Sequence, residues 1–149
     1  MRTRSRGVIA ATLASLVVLP LTSLSADAAP VVRFSRVQYD SPGSDTGSNS
    51  SLNAEWIEVT NHGRRAKVLT AWTIRDTAHH VYRFPTFKLR PGTAVRLHTG
   101  RGSNTRRDLY WRQDWYVWDN GGDKAVLKNR HGITVDTCKW GDGDGNTAC

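Results

Sequence analysis

A chain of 149 residues suits one domain, since single domains most often run to about 100–150 residues. Its 21 basic and 13 acidic residues give a net charge of +8, which favours anionic partners such as nucleic acid, cell-wall polymer or lipid headgroups. The basic residues are scattered rather than massed, so the same charge also serves plain solubility. With only two cysteines, a cysteine-built metal site is excluded unless well-placed histidines join them.

Arg2, Arg4 and Arg6 precede a largely apolar run from Val8 to Leu24, and Ala26-Asp27-Ala28 fits a small-x-small cleavage site. Residues 1–28 read as a signal peptide cut after Ala28, with Ala29 as the alternative. Pro20 breaks the apolar run, which argues against a retained membrane anchor. The arginines are not adjacent, so a twin-arginine signal does not fit. No later stretch is long and apolar enough to span a bilayer. Removing 28 of 149 residues leaves 121; taking three arginines and Asp27 from the charge count leaves 18 basic and 12 acidic residues, a net +6. The expected product is a secreted, monomeric domain over residues 29–149.

Val31 to Tyr39 alternates polar and apolar residues and predicts a first strand, with a phase slip between Phe34 and Val37. Asp40 to Asn53 is a loop too polar to bury. Glu55 to Asn61 predicts a strand with Ile57 and Val59 inward and Glu58 and Thr60 outward. His62-Gly63 turns the chain toward Val68–Asp76, and Asp76–His80 returns it to Val81–Phe84. Arg90-Pro91-Gly92 fits a β-turn, with proline pre-setting φ and glycine supplying φ > 0. Thr93 to Thr99 alternates with Val95 and Leu97 on one face, and the arginine-rich link Gly100–Asp108 leads to Leu109-Tyr110-Trp111. Asn120-Gly121-Gly122-Asp123 predicts a hairpin turn into Ala125–Asn129, and Arg130-His131-Gly132 a turn into Ile133–Trp140. Sustained 3.6-residue periodicity is missing, so little or no helix is expected. Seven or eight strands predict an all-β, immunoglobulin-like antiparallel sandwich, with Trp56 or Trp72, Phe84, Leu97, Leu127 and Val135 in one core.

Cys138 and Cys149, with ten residues between them, would pair in an oxidising compartment. Closing that loop contributes about 3 kcal/mol by chain entropy. The bridge is expected to tie down the tail over residues 138–149 rather than to hold two sheets together.

The order Glu55-Trp56-Ile57-Glu58-Val59, Trp72-Thr73-Ile74, Tyr82-Arg83-Phe84-Pro85, Leu89-Arg90-Pro91-Gly92 and Trp118-Asp119-Asn120-Gly121-Gly122-Asp123 resembles the lamin-tail family. The resemblance covers residues 31–140, and the polar loop and cysteine-bearing tail are similar to those of small secreted bacterial members. It implies an immunoglobulin-like fold and a binding or structural role, with Trp111 and Trp118 as core positions. Family members are often fused to secreted nucleases or other hydrolases, which implies accessory docking; a module standing alone would meet its partner in trans. A filament role does not transfer, because the chain has no heptad rod.

Tyr110, Trp111, Trp115, Tyr116 and Trp118 crowd into nine residues. Exposed, such rings stack on sugars or unpaired bases; buried, they fill a sandwich that has few Leu and Phe. Asp142-Gly143-Asp144-Gly145-Asn146 opens like a calcium loop but lacks the far bidentate Glu, and reads as a turn closed by the disulfide. Asp40, Asp45, Asn53 and Glu55 form a second oxygen-rich set that Asx turns explain equally well. No cofactor is expected; Ca²⁺ is the ion either set would take. The histidines suggest no site, no hydrolase or phosphate-loop motif is present, and no catalytic residue is assigned.

The leading expectation is a secreted non-enzymatic binding or structural module with an extracellular or cell-surface ligand. The second is a polyanion-binding domain using Arg101, Arg106, Arg107 and Arg112, opposed locally only by Asp108. The third is a metal-dependent hydrolase of unrecognised type built on the Asp40–Glu55 loop.

Overall fold

The computed structural model describes residues 29–149; the signal-peptide reading of 1–28 lies outside the described residues. A five-stranded sheet contains β1 (Val32–Gln38), β2 (Trp56–Asn61), β7 (Ala94–His98), β8 (Asp108–Tyr110) and β11 (Asn146–Ala148), in the order β11-β1-β2-β7-β8. A four-stranded sheet contains β4 (Thr73–Arg75), β5 (Val81–Arg83), β9 (Gly122–Lys128) and β10 (Thr134–Gly141), in the order β10-β9-β4-β5. β3 (Lys67–Val68) and β6 (Lys88–Leu89) form a separate two-stranded ribbon. The architecture is the expected immunoglobulin-like β-sandwich. One pairing departs from the antiparallel expectation: β7 and β8 run parallel, with Leu97 opposite Leu109. Extended, the link from Gly100 to Arg107 reaches well beyond the length of the short strands it joins, so it carries the chain back to the same end of the sheet and the second strand repeats the direction of the first.

The alternation read from sequence decides the core. Ile57 and Val59 are fully buried between half-buried Trp56, Glu58 and Thr60, and Val95 and Leu97 face the same interior. The expected phase slip in β1 is a bulge between Phe34 and Arg36, which keeps both Phe34 and Val37 inside. Phe84, Leu97 and Leu127 are core residues, while Trp72 and Val135 are partly buried against them. Trp56 lies instead on the outer face, with the Arg96 guanidinium 4.1 Å above its ring.

The scarcity of large aliphatics is met by aromatic packing. Tyr39, Trp140, Trp118, Trp111, Tyr82, Phe84 and Phe87 form a continuous chain of ring contacts, each 5.2–6.1 Å between centroids. Each such pair adds about 0.5–1.5 kcal/mol beyond its buried area. Trp111 and Trp118 are therefore core, as the resemblance implied, whereas Trp115 is 64% exposed.

Four local expectations are revised. Asn49–Ala54 forms a one-and-a-half-turn helix, α1, inside the segment read as a loop. Ser48 caps it by accepting the Ser51 N–H, and Leu52 buries the helix against the sandwich, so this polar segment is not wholly excluded from the interior. The strand read from Glu55 begins at Trp56. The turn at Asn120-Gly121 leads into β9 from an irregular segment, so it is no hairpin, whereas Asn129–Gly132 does join β9 to β10 with Gly132 at φ +78°. The fourth concerns the disulfide. Cys138 and Cys149 are bonded with Cα atoms 5.3 Å apart. Cys138 lies on β10, the edge of the four-stranded sheet, and Cys149 follows β11, the edge of the five-stranded sheet. The chain changes sheets across the Asp142–Gly145 turn, so the bridge fastens sheet to sheet, contrary to expectation. Asp136 Oδ2, accepting the Phe34 N–H at 2.8 Å, closes the same side.

A basic groove as the candidate functional site

Two polar clamps set the geometry of the arginine-rich link. Asn49 and Asn53, on α1, both donate to the Arg101 carbonyl, at 3.0 and 2.9 Å, and Asn49 Oδ1 accepts the Arg101 N–H at 2.7 Å. At the other end, Thr105 Oγ1 accepts the N–H groups of Arg107 and Asp108 at 3.1 and 3.0 Å, and the Arg107 carbonyl accepts the Arg96 N–H. The result is a pinned turn that presents Arg106 and Arg107 to solvent.

A third clamp builds the opposite wall. Asn61, at the end of β2, is fully buried and donates to the carbonyls of Arg65 and Leu89 at 2.9 and 3.1 Å. Its own carbonyl accepts the Gly92 N–H at 2.8 Å. This fixes the Arg90-Pro91-Gly92 turn, where Gly92 takes φ +64° and Thr93 N–H donates back to Arg90. Between the two walls runs a groove of about 1300 Å³ whose cationic residues are Lys88, Arg90, Arg96, Arg106 and Arg107.

Its two acidic residues are already engaged. Glu58 accepts from Arg96 Nε at 3.0 Å and from Ser35, and Asp108 lies 3.0 Å from His98 Nε2. Lys88, Arg90, Arg106 and Arg107 are exposed and make no ion pair among the described residues. The four arginines expected to act together are thus divided. Arg101 pairs with Asp114, and Arg112 donates to the Gly102 carbonyl at 3.0 Å. Arg112 also faces Tyr82, whose phenol burial pushes up to about 12 while the guanidinium pulls it partly back.

The oxygen-rich set does not assemble either. Among the described residues, no three His, Cys, Asp or Glu side chains gather as a metal-holding group. Asp40 packs beside the Gly145 turn, whose carbonyl accepts the Tyr39 and Asp40 N–H groups. Asp45 is exposed. Glu55 is fully buried, and its Oε1 accepts the N–H groups of Val117 and Trp118 and the Thr99 hydroxyl. Desolvation raises its carboxyl from 4.5 to about 7, against the lowering effect of those donors; the nearby Asp45 charge adds to the rise.

Two histidine–carboxylate pairs were not foreseen. His80 Nδ1 lies 2.5 Å from buried Asp76, and His98 bridges the Asn53 carbonyl and Asp108 at 2.7 and 3.0 Å while stacking on Tyr110. The strand position of His98 hid its role, because both partners arrive from other segments.

No curated protein matches the chain. A family model described as Lamin Tail Domain matches residues 25–142, whose immunoglobulin-like fold is a non-catalytic domain type, and the chain belongs to that family.

Proposed function

We propose that this protein works outside the cell as a non-enzymatic binding module, and that the basic groove is its ligand face. The observation carrying the proposal is the groove itself: four exposed cations without an ion pair among the described residues, Lys88 on β6 and Arg90, Arg106 and Arg107 on turns that the buried Asn61 and the Thr105 hydroxyl hold fixed. Rigid turns carry function with little ordering cost on binding. The export-type N-terminus and the paired cysteines support an extracellular setting. The two histidine pairs fit a structural use, because His98 joins α1, β7 and β8 through both ring nitrogens.

The test is co-sedimentation of the purified 29–149 chain with peptidoglycan, chitin and immobilised anionic polymers, with soluble product measured in the same tubes. Retention without product release is expected. Release proportional to added protein would contradict the reading, as would no retention on any matrix. Sequencing the N-terminus of exported protein should find Ala29.

A further inference from the structure

We infer that the groove takes a linear, phosphate-rich chain that carries no aromatic bases: inorganic polyphosphate or a polyol-phosphate polymer. The inference rests on the binding-module reading and names its ligand class. Three features of the lining select this chemistry. First, Lys88, Arg90, Arg106 and Arg107 stand on both walls with no carboxylate partner among the described residues, so a ligand bearing repeated negative charge can meet several at once. Phosphate oxygens suit arginine forks and lysine ammonium groups, and repeated contacts add where single surface ion pairs contribute little.

Second, the lining has no exposed ring. Phe87 is its only aromatic residue, half-buried and packed on Phe84 at 6.1 Å. Single-stranded nucleic acid sites rely on base stacking for a large share of affinity, and this groove offers charge without stacking. Third, the exposed large apolar residues, Val31, Val68, Val81, Trp115 and Ile133, all lie off the lining. A lipid surface would gain from several apolar groups beside the charges, and of these five only Val68, opposite Lys88 on the β3–β6 ribbon, stands next to the lining.

The groove is also distinct from the positive charge elsewhere. Lys124 and Lys139 face each other across β9 and β10 on the other sheet, outside the lining. They provide a control of equal charge.

The experiment is fluorescence anisotropy of end-labelled inorganic polyphosphate titrated with the 29–149 chain at several salt concentrations, repeated with poly(glycerol phosphate) and with an oligo-dT of equal charge. The parent should bind one or both phosphate chains at low salt and lose affinity as salt rises; which chain binds tighter identifies the source. Arg106→Ala/Arg107→Ala should weaken binding about fivefold, on the scale of two exposed charge contacts. Lys124→Ala/Lys139→Ala should change it less than about twofold. Equal losses in both variants would overturn the inference, since net charge alone would then explain binding. Tighter binding of oligo-dT than of either phosphate chain would overturn it in favour of base stacking. No binding at low salt would overturn it while leaving retention on an uncharged matrix, and so the module reading, intact. Thermal unfolding of each variant, with midpoints near the parent's, confirms that the comparison is between folded proteins.

Discussion

The Trp118 backbone N–H donates to Glu55 Oε1 at 2.8 Å, beside the Val117 N–H at 3.0 Å, so one buried carboxylate holds the irregular segment that feeds β9. Oε2 is buried too and pairs with no protein group. The ionised form therefore meets donors on one oxygen only, and desolvation dominates, raising the carboxyl to about 7. With the folded value above the unfolded one, the folded state holds the proton more tightly. This contribution is complete below pH 4.5, falls as pH rises, and is gone above about 7. The loss is about 3 kcal/mol by linkage. Denaturant midpoints at pH 5 and pH 8 should drop for the parent, and Glu55→Gln should flatten that drop while keeping a carbonyl acceptor for both N–H groups. Identical slopes for parent and variant would remove Glu55 as the cause.

Joining the two sheet edges gives the Cys138–Cys149 bridge more to do than stop fraying. Cys138→Ala/Cys149→Ala should cost about 2–4 kcal/mol, and amide exchange should accelerate in both β11 and β10. Acceleration confined to residues 142–149, with stability unchanged, would restore the simpler tail-clip role.

The aromatic run divides by burial. Trp118→Ala should cost about 3–5 kcal/mol, since it removes a ring contacting both Trp111 and Trp140. Trp115→Ala should change stability by less than about 0.5 kcal/mol. Equal costs in urea unfolding would mean that the exposed ring packs elsewhere in solution.

Asn61 links fold to site. Asn61→Ala leaves the Leu89 and Arg65 carbonyls without their buried donor, at a cost of about 1–3 kcal/mol each for the lost partner. It should also loosen the Arg90–Thr93 turn, seen as faster amide exchange at Gly92 and Thr93. Unchanged exchange there would show that proline and glycine alone set the turn.

Local periodicity made the sandwich legible: alternation in Glu55–Asn61 and Thr93–Thr99, and Arg90-Pro91-Gly92 with its forced φ, each contain their own explanation. The phase slip in β1 was visible for the same reason. The groove was half visible, because Arg106 and Arg107 are adjacent in sequence while Lys88, Arg90 and Arg96 reach them only through sheet pairing. Arg101 and Arg112 looked equivalent to them, since charge spacing does not reveal that Asp114 and the Gly102 carbonyl claim both. Glu55 looked like a possible metal ligand; its burial under Val117 and Trp118 is a contact across more than sixty residues. The short helix α1 escaped because its polar residues have only Leu52 to mark an inner face.

The groove as ligand face is tested most directly by backbone amide NMR of the 29–149 chain titrated with inorganic polyphosphate. The account predicts shifts concentrated at Lys88–Ala94 and Asn104–Leu109, with Arg96 responding and Lys124 and Lys139 silent. Shifts centred on Gly47, Trp115 and Tyr116, or spread evenly over every basic residue, would contradict it.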